Sequence, residues 1–225
     1  MERWSAHGNV YLVTAETVDA ERVRAEVGEA DGIVQVLARG DDWLDVAIWN
    51  PDGSTAELSG NGTRIAAAWH GADHVLVRVG ERDVRARRLP DGRIEQELGE
   101  VRVFETERVA GLDVTPVDVG NPHAVVIGDP DDLPLIGPLL ETHPRFPNRT
   151  NVQVARIERP GRVTARVWER GVGETSASGT SAVAVAAATH GTGEVVVSFP
   201  GGDLTVRLEG GRALLTGRAD RVDDV

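Results

Sequence analysis

A short plan of residues that occurs twice constrains the fold of this chain more than any other feature. In the first copy, Ser59-Gly60 leads through a short polar step into an alanine-rich run that ends at His70-Gly71. In the second copy, Ser178-Gly179 leads into a similar run that ends at His190-Gly191. The two serines are 119 residues apart (178 minus 59), about half of the 225-residue chain. An internal duplication into two similar α/β domains is the simplest explanation, although the pattern alone does not decide it.

The alanine-rich runs predict two helices, from about Thr63 to Trp69 and from about Ser181 to Thr189. Gly71 and Gly191 are typical stops for them, because glycine readily adopts the left-handed conformation that ends a helix. The small residues before each run would then lie at a helix N-terminus. Free backbone N–H groups and the positive end of the helix dipole favour an anion there, such as a carboxylate.

Short β-branched and alternating segments around these helices predict the strands of an α/β fold. The charged stretch from Glu16 to Glu29 has weak helical periodicity, and a proline-rich, acidic connection is predicted between Ile127 and Phe146. The predicted strands lie in these segments: Trp4–Val13, Ile33–Leu37, Trp43–Trp49, Val75–Val79, Asp83–Arg88, Arg93–Leu98, Val101–Phe104, Thr115–Ile127 with a break at Gly120–His123, Val163–Val167, Glu194–Phe199, Leu204–Leu208 and Arg212–Thr216.

Composition excludes several classes of function. The formal net charge of -12 argues against nucleic-acid and acidic-membrane partners, which require clustered basic side chains. The chain contains no cysteine, so disulfides and thiol chemistry are excluded. It contains no lysine either, so it cannot form an internal Schiff base with pyridoxal phosphate. We expect no cofactor and no metal, and a cytoplasmic location.

Six motifs, in the same order along nearly the whole length, resemble those of the diaminopimelate epimerase family, the cofactor-independent amino-acid epimerases and racemases. The motifs are His7-Gly-Asn9, Asn50-Pro-Asp-Gly-Ser54 with Ala56-Glu-Leu-Ser-Gly-Asn-Gly62, Gly120-Asn-Pro-His123, Phe146-Pro-Asn-Arg-Thr-Asn-Val152, Glu169-Arg-Gly-Val-Gly-Glu-Thr175 with Ser178-Gly-Thr180, and Leu215-Thr-Gly217. The resemblance implies an isomerase that acts on a small amino-acid-like substrate in lysine biosynthesis. It also implies a homodimer.

The fold that the resemblance implies is α/β, with two pseudo-symmetric domains, each a rolled mixed β-sheet around a central helix. The expected domains are residues 1–112 and 113–215, with 216–225 as a tail that returns to the first domain, and the substrate lies in the cleft between the domains. The resemblance assigns acid/base or supporting roles to Ser59, Ser178, His123 and Glu169. It assigns substrate binding to Asn9, Asn50, Gly60, Asn61, Asn121, Asn151, Arg170, Gly179 and Thr180.

The chain departs from the family at both acid/base positions, where Ser59 and Ser178 stand in place of cysteines. A thiol has a pKa near ~8.5, whereas an alkanol is far less acidic and needs a partner base. His123 is the only partner base that the resemblance implies, and it could assist only one of the two serines. The opening loop is also two residues shorter than the family pattern at His7-Gly-Asn9.

Three hypotheses therefore remain open. The chain is an epimerase with native serines or with both cysteines replaced, or a proton-shuttling isomerase that uses Glu57, His123, Glu169 or Glu174. The third is a catalytically silent amino-acid binder. The two serines also fit plain helix N-caps, since serine is a preferred cap.

Overall fold

The computed structural model describes residues 1–56 and 58–222. The chain divides into two compact units. One comprises Met1–Glu97 and the segment that begins at Thr216, and the other comprises Leu98–Leu215. Residues 98–112, which the sequence assigns to the first domain, belong to the second unit. Glu57, one of the candidate acid/base residues, lies outside the described residues.

The first unit is built mainly from seven strands and two helices. Its strands pair in the order β1-β2-β3-β4-β5-β6-β7; the β2–β3 and β4–β5 pairs are parallel and the others are antiparallel. These elements are β1 (Glu2–Ala6), β2 (Asn9–Thr14), α1 (Ala20–Glu26), β3 (Gly32–Arg39), β4 (Trp43–Trp49), α2 (Gly60–His70), β5 (His74–Val79), β6 (Arg82–Arg88) and β7 (Ile94–Glu100).

The second unit repeats the pairing plan of the first. The order β10-β11-β12-β13-β15-β16 alternates antiparallel and parallel pairs, as β1 to β6 do. The elements are β8 (Arg102–Val103), β9 (Glu107–Val109), β10 (Leu112–Asp118), β11 (Pro122–Ile127), α3 (Leu133–Glu141), β12 (Asn151–Arg159), β13 (Arg162–Glu169), β14 (Gly173–Thr175), α4 (Gly179–Thr189), β15 (Gly193–Phe199), β16 (Gly202–Glu209) and β17 (Arg212–Gly217). The last strand, β18 (Asp220–Arg221), belongs to the first unit, where it pairs with β1.

A buried central helix forms the core of each unit. All residues from Gly60 to Ala68 in α2 and from Gly179 to Ala187 in α4 are buried. Strands contact α2 and α4 from several sides, and the small alanine side chains allow the backbones to approach closely. The predicted mixed α/β fold, with a sheet rolled around a central helix in each half, is confirmed.

Local predictions differ from the structure mainly at helix boundaries and in one connection. Both central helices begin at the glycine after the serine, three residues earlier than predicted for α2 and two for α4. The predicted connection before Phe146 is wrong, because it contains α3. One proline lies in the first turn of α3, where no N–H donor is needed, and the helix buries Leu133 and Leu140.

Within the ranges 1–56 and 58–222, no helix is long and apolar enough to cross a membrane.

Candidate active site

The candidate site residues divide between the two units. Five lie in the first unit: Asn9, Asn50, Ser59, Gly60 and Asn61. Eight lie in the second unit: Asn121, His123, Asn151, Glu169, Arg170, Ser178, Gly179 and Thr180. In each unit the predicted serine occupies the N-cap of the buried central helix. The repeated sequence plan therefore corresponds to a repeated local structure.

Ser59 is a fully engaged helix cap. Its hydroxyl oxygen accepts a hydrogen bond of 3.0 Å from the Gly62 backbone N–H, as a serine cap does when it satisfies a free donor of the first turn. The hydroxyl of Tyr11, on β2, lies 3.2 Å from the same oxygen. Gly60 and Asn61 begin the helix behind Ser59, and both are buried. Ser59 is thus positioned by its own helix and by the neighbouring strand.

The two asparagines predicted at the first unit's loops have different surroundings. Asn9 begins β2 and is buried. It pairs with Ala6 across a two-residue turn in which His7 and Gly8 have φ of 53° and 83°. This turn accounts for the short opening loop, because two positive φ values are the geometry of a tight hairpin. Asn50 follows β4 and donates to the Ser54 hydroxyl, 2.9 Å away, within its own turn.

Ser178 stands at the same place in the second unit but has a different environment. It caps α4 with extended backbone, yet its side chain makes no capping hydrogen bond. Ser178 is only 6% exposed. Within the part of the chain that the structure describes, no hydrogen-bond partner is found for this hydroxyl. Ser178 therefore has a free hydroxyl at the start of a buried helix, while Gly179 and Thr180 form the first turn behind it.

His123 lies inside the second unit with both ring nitrogens engaged. The Gln153 amide Nε2 lies 3.0 Å from Nδ1, and the Asn121 Oδ1 lies 2.9 Å from Nε2. Because the amide nitrogen can only donate, the neutral ring carries its proton on Nε2 and donates to Asn121. Asn121 then donates to the Thr180 hydroxyl at 3.4 Å, and Gln153 also donates to Ser181 at 2.9 Å. A neutral network thus connects β11 and β12 to the first turn of α4.

The electrostatics of His123 follow from this burial. Burial lowers the pKa of His123 to about 3, the hydrogen bond from Gln153 raises it, and the charge of Arg170 lowers it further. The ring is therefore neutral at neutral pH. Since its one free lone pair accepts from Gln153, His123 is not arranged as a base for a serine hydroxyl. Its network ends at Thr180, two residues after Ser178, and among the described residues no hydrogen bond joins it to the Ser178 hydroxyl.

The loop with Glu169 and Arg170 is held by residues from two other elements. Asn151 accepts a bond of 3.0 Å from the Arg170 backbone N–H and donates to the Pro122 carbonyl at 3.0 Å. Glu169 accepts a bond of 2.5 Å from the Thr175 hydroxyl. The Arg170 guanidinium reaches the Asn148 carbonyl at 3.4 Å. Asn151, Glu169 and Arg170 are thereby brought together at one end of β12 and β13.

Glu141, at the end of α3, is a supporting residue that the sequence does not reveal. Its carboxylate is 5% exposed and accepts hydrogen bonds from Trp168 Nε1 at 2.8 Å and from the Gly171 backbone N–H at 2.6 Å. It also forms an ion pair of 2.5 Å with Arg149. These bonds fix both sides of the Glu169–Arg170 pair. No sequence signal identifies Glu141, because its partners are distant in the chain.

Glu174, another candidate acid/base residue, is engaged in an ion pair. Its two carboxylate oxygens lie 2.7 and 2.9 Å from the Arg166 guanidinium, a two-point contact across β13 and β14. This two-point geometry favours a structural role for Glu174. Within residues 1–56 and 58–222, no group of three or more His, Asp or Glu side chains is arranged to hold a metal ion.

Comparison with known proteins identifies the family of this chain. Residues 115–222 match the family described as diaminopimelate epimerase. The diaminopimelate epimerase of Desulforudis audaxviator is 38% identical over 87% of this chain and 83% of its own length. This chain belongs to the diaminopimelate epimerase family. Its relatives and structural neighbours are isomerases, epimerases and racemases, as expected from the motifs.

Two solved structures are similar to the fold of this diaminopimelate epimerase family member. A phenazine biosynthesis protein of the PhzF family from Bacillus anthracis has a TM-score of 0.77 and 14% identity, with coverage of 99% of this chain and 96% of that one. A hydroxyproline epimerase from Agrobacterium vitis, solved with trans-4-hydroxy-L-proline, has a TM-score of 0.73 and 15% identity, with coverage of 98% and 88%. At these identities the likeness concerns the fold.

Four side chains that contact the candidate residues or their neighbours were not predicted from the sequence. These are Tyr11 and Arg64 in the first unit and Glu141 and Gln153 in the second. Arg64 and Gln153 are fully buried polar residues, which rarely occur without a hydrogen-bonding function. Arg64 belongs to the run Asn61-Gly-Thr-Arg64, and a charged residue in an otherwise small and apolar helix was the one available signal.

Proposed function

We propose that this chain is a pyridoxal-phosphate-independent amino-acid epimerase of the diaminopimelate epimerase type, with Ser59 and Ser178 at the two acid/base positions. The proposed substrate is diaminopimelate, for which the curated relatives are named, or a similar amino acid. This would place the protein in lysine biosynthesis. A cytoplasmic homodimer and a ligand held in an inter-domain cleft stay predictions from the family resemblance.

The observation that supports the proposal most strongly is the repeated helix start. Each serine stands at the N-cap of a buried helix, followed by small or amide residues: Gly60 and Asn61 after Ser59, and Gly179 and Thr180 after Ser178. Helix N-termini favour negative charge because their first N–H groups lack partners within the helix. In the proposed reaction they bind the α-carboxylate. The same positive ends stabilise the negative charge that develops on the α-carbon and its carboxylate as the proton leaves.

The chemistry requires proton transfer at the α-carbon without an imine cofactor. In the proposed mechanism one serine oxygen accepts the α-proton while its own hydroxyl proton passes to a neighbouring base. The hydroxyl of the other serine gives its proton to the opposite face and is left as the alkoxide. Asn9, Asn50, Asn121 and Asn151 would hold the polar ends of the substrate. Glu169 and Arg170 would lie beside its amino and distal groups, and His123 would keep Asn121 in place.

A catalytically silent amino-acid binder is the second candidate, and one observation favours it. The hydroxyl of Ser178 has no base within hydrogen-bonding distance among the described residues. Both nitrogens of His123 are engaged with amides. A serine needs a base to accept a carbon-bound proton, so this hydroxyl is poorly prepared for catalysis. Binding of the substrate does not depend on such a base.

Deuterium exchange separates the two candidates. The unmodified protein is incubated in deuterium oxide with the stereoisomers of diaminopimelate and with a panel of other amino acids, and α-deuterium is measured by mass spectrometry. Exchange that disappears in the double variant Ser59→Ala/Ser178→Ala supports the epimerase. Exchange that persists in that variant refutes the serine roles. Calorimetric binding without exchange on any amino acid supports the silent binder instead.

A further inference from the structure

The hydroxyl groups of Tyr11 and Ser59 form a pair between which a proton can move. The two oxygens lie 3.2 Å apart. The Gly62 N–H occupies one lone pair of the Ser59 oxygen, and either hydroxyl of the pair can donate to the other. In one of these two arrangements Ser59 donates its hydrogen. The Tyr11 oxygen is an acceptor within reach of that hydrogen. Such a pair supplies what an alkanol at an acid/base position lacks, a proton acceptor within hydrogen-bonding distance.

The ring of Tyr11 is held in place by close packing against the adjacent parallel strand. Tyr11 is 8% exposed and pairs in register with Gly32 on β3. A Cβ atom at Gly32 would lie only 2.8 Å from Tyr11 Cε1, so only a glycine lets the ring approach this closely. The distance between the tyrosine and serine hydroxyls is therefore fixed by the sheet.

A buried positive charge lies in the helix behind Ser59. Arg64 is fully buried in α2. Its guanidinium donates to the Arg218 carbonyl at 3.0 Å, the Gly60 carbonyl at 3.3 Å and the Asn61 Oδ1 at 2.5 Å. All three acceptors are neutral, and among the described residues no carboxylate forms an ion pair with it. A buried charge without a counter-ion is costly, so a charge-bearing partner is expected close by.

The partner that the electrostatics indicate is Tyr11, which becomes negatively charged when its hydroxyl loses the proton. Burial lowers the pKa of Arg64 to about 9, and attraction to Tyr11 raises it in opposition. The guanidinium therefore remains charged at neutral pH. Coulomb attraction acts equally on both members of a pair, so the charge of Arg64 stabilises the negatively charged form of Tyr11.

We propose that Tyr11, supported by the charge of Arg64, exchanges a proton with Ser59 during the reaction. The role rests on the proposed function. As the Ser59 oxygen accepts the α-proton, its own hydroxyl proton passes to the Tyr11 phenolate, and the C–H electron pair stays on the α-carbon. The reverse transfers return a proton to that carbon. Tyr11 acts through Ser59, and Arg64 is a positioning residue that touches neither the substrate nor the transferred proton.

A spectroscopic titration tests the coupling without any assay of activity. Tyr11 is the only tyrosine in the chain, so the absorbance of phenolate as the pH rises reports this residue alone. In Arg64→Met the midpoint of this titration should rise by about one pH unit relative to the unmodified protein. Arg78→Met is the matched control, because Arg78 is exposed on β5 and pairs with Asp45, and it should leave the midpoint unchanged.

Ser59→Ala gives a second route if Arg64→Met does not fold. Removal of the serine hydroxyl takes away a hydrogen bond that the phenolate would accept, so the midpoint should again rise. Equal midpoints in the unmodified protein and in the variants that fold would overturn the proposal.

The proton transfer itself is tested with Tyr11→Phe, which keeps the ring and removes only the hydroxyl. We expect α-deuterium incorporation to fall about 100-fold. The pH dependence of the remaining exchange should no longer follow the phenolate titration of the unmodified protein. Thr189→Val is the control, since it removes a hydroxyl that bonds the Val185 carbonyl near the end of α4. Its exchange rate should equal that of the unmodified protein.

The outcomes distinguish this inference from the function on which it rests. If the unmodified protein exchanges and Tyr11→Phe exchanges equally fast, the role of Tyr11 is overturned and the epimerase proposal stands. If the unmodified protein exchanges no amino acid, the epimerase proposal and the proton transfer both fail. The titration then still decides whether Arg64 and Ser59 are coupled to Tyr11.

Discussion

The starts of the two central helices share a sequence plan but differ in electrostatic support. Ser59 caps its helix, contacts the Tyr11 hydroxyl and has the buried cation Arg64 one turn behind it. Ser178 makes no capping bond, and the residues behind it form a neutral network around His123. A duplicated fold therefore does not carry duplicated chemistry. Both serines stand at a positive helix end, but only the first unit adds a buried cation behind its serine, whereas the network described behind Ser178 is neutral.

The difference predicts that cysteine affects the two positions unequally. A thiol ionises far more readily than an alkanol, so Ser178→Cys supplies the acidity that its surroundings do not. We expect Ser178→Cys to raise the rate of α-proton exchange by about 100-fold and Ser59→Cys to raise it less. The rates are measured by deuterium incorporation on the same substrate. A larger gain from Ser59→Cys would reverse the comparison.

The free energy of unfolding should also depend more strongly on the buried cation Arg64 than on the neutral amide of Gln153. Arg64→Met removes the three hydrogen bonds that the buried guanidinium donates and should lower the free energy of unfolding by about 3 kcal/mol or more. Gln153→Leu removes the hydrogen bonds that the Gln153 amide donates to His123 Nδ1 and to the Ser181 hydroxyl. It also removes the amide oxygen of Gln153, which is buried and has no partner among the described residues, and this loss is favourable.

We therefore expect Gln153→Leu to cost about 1 kcal/mol, as measured by chemical denaturation. The exposed substitution Arg78→Met serves as the baseline, with an effect of about 0.5 kcal/mol or less. Equal losses of unfolding free energy in Arg64→Met and Gln153→Leu would show that the buried charge of Arg64 contributes no more to stability than the neutral amide.

Acid should destabilise the second unit through His123. Its pKa is about 3 in the folded protein, below the value of 6.5 for an unperturbed histidine. The unfolded chain therefore binds an additional proton between these values, and stability is full above pH 6.5 and falls as the pH decreases toward 3. From pH 7 to pH 4 we expect a loss of about 2 to 3 kcal/mol from this group.

The measurement for this prediction is the free energy of unfolding against pH in the unmodified protein and in His123→Gln. The variant cannot titrate at this position, so its curve should be flatter between pH 6.5 and pH 4. Curves of the same slope would show that His123 does not contribute to acid sensitivity.

The smallest expected difference concerns the caps themselves. Ser59→Ala loses the bond to the Gly62 N–H and should cost about 1 kcal/mol of stability. Ser178→Ala loses no capping bond and should cost about 0.5 kcal/mol or less. Thermal unfolding of both variants checks the order. A greater loss at Ser178 would mean that its hydroxyl is bonded in solution.

The repeated fold was predictable because its signals are local. Alanine-rich runs with terminal glycines specify helices, and alternating segments specify strands, so α2, α4 and most strands follow from neighbouring residues. The prediction failed at α3, where burial of Leu133 and Leu140 outweighs the effect of two prolines. Propensity is a weak guide wherever tertiary packing decides.

The support of the site was less predictable because it depends on contacts between distant residues. Ser59 was recognised from its motif, yet its contact with Tyr11 joins residues 48 positions apart. Glu141 holds Gly171 from 30 positions away. Arg64 and its acceptor Arg218 are separated by 154 positions. Such pairs follow from the strand order and register, which a single sequence does not specify.

Direction-resolved exchange tests the central claim, that two serines serve opposite faces of one α-carbon. Two stereoisomers of diaminopimelate that differ in configuration at one α-carbon are incubated separately in deuterium oxide with the unmodified protein, Ser59→Ala and Ser178→Ala, and initial α-deuterium incorporation is measured by mass spectrometry. The account predicts that one variant loses initial exchange on the substrate with one configuration at the reacting α-carbon. The other variant loses initial exchange on the substrate with the opposite configuration. Loss of the same configuration in both variants, or of neither, would contradict it.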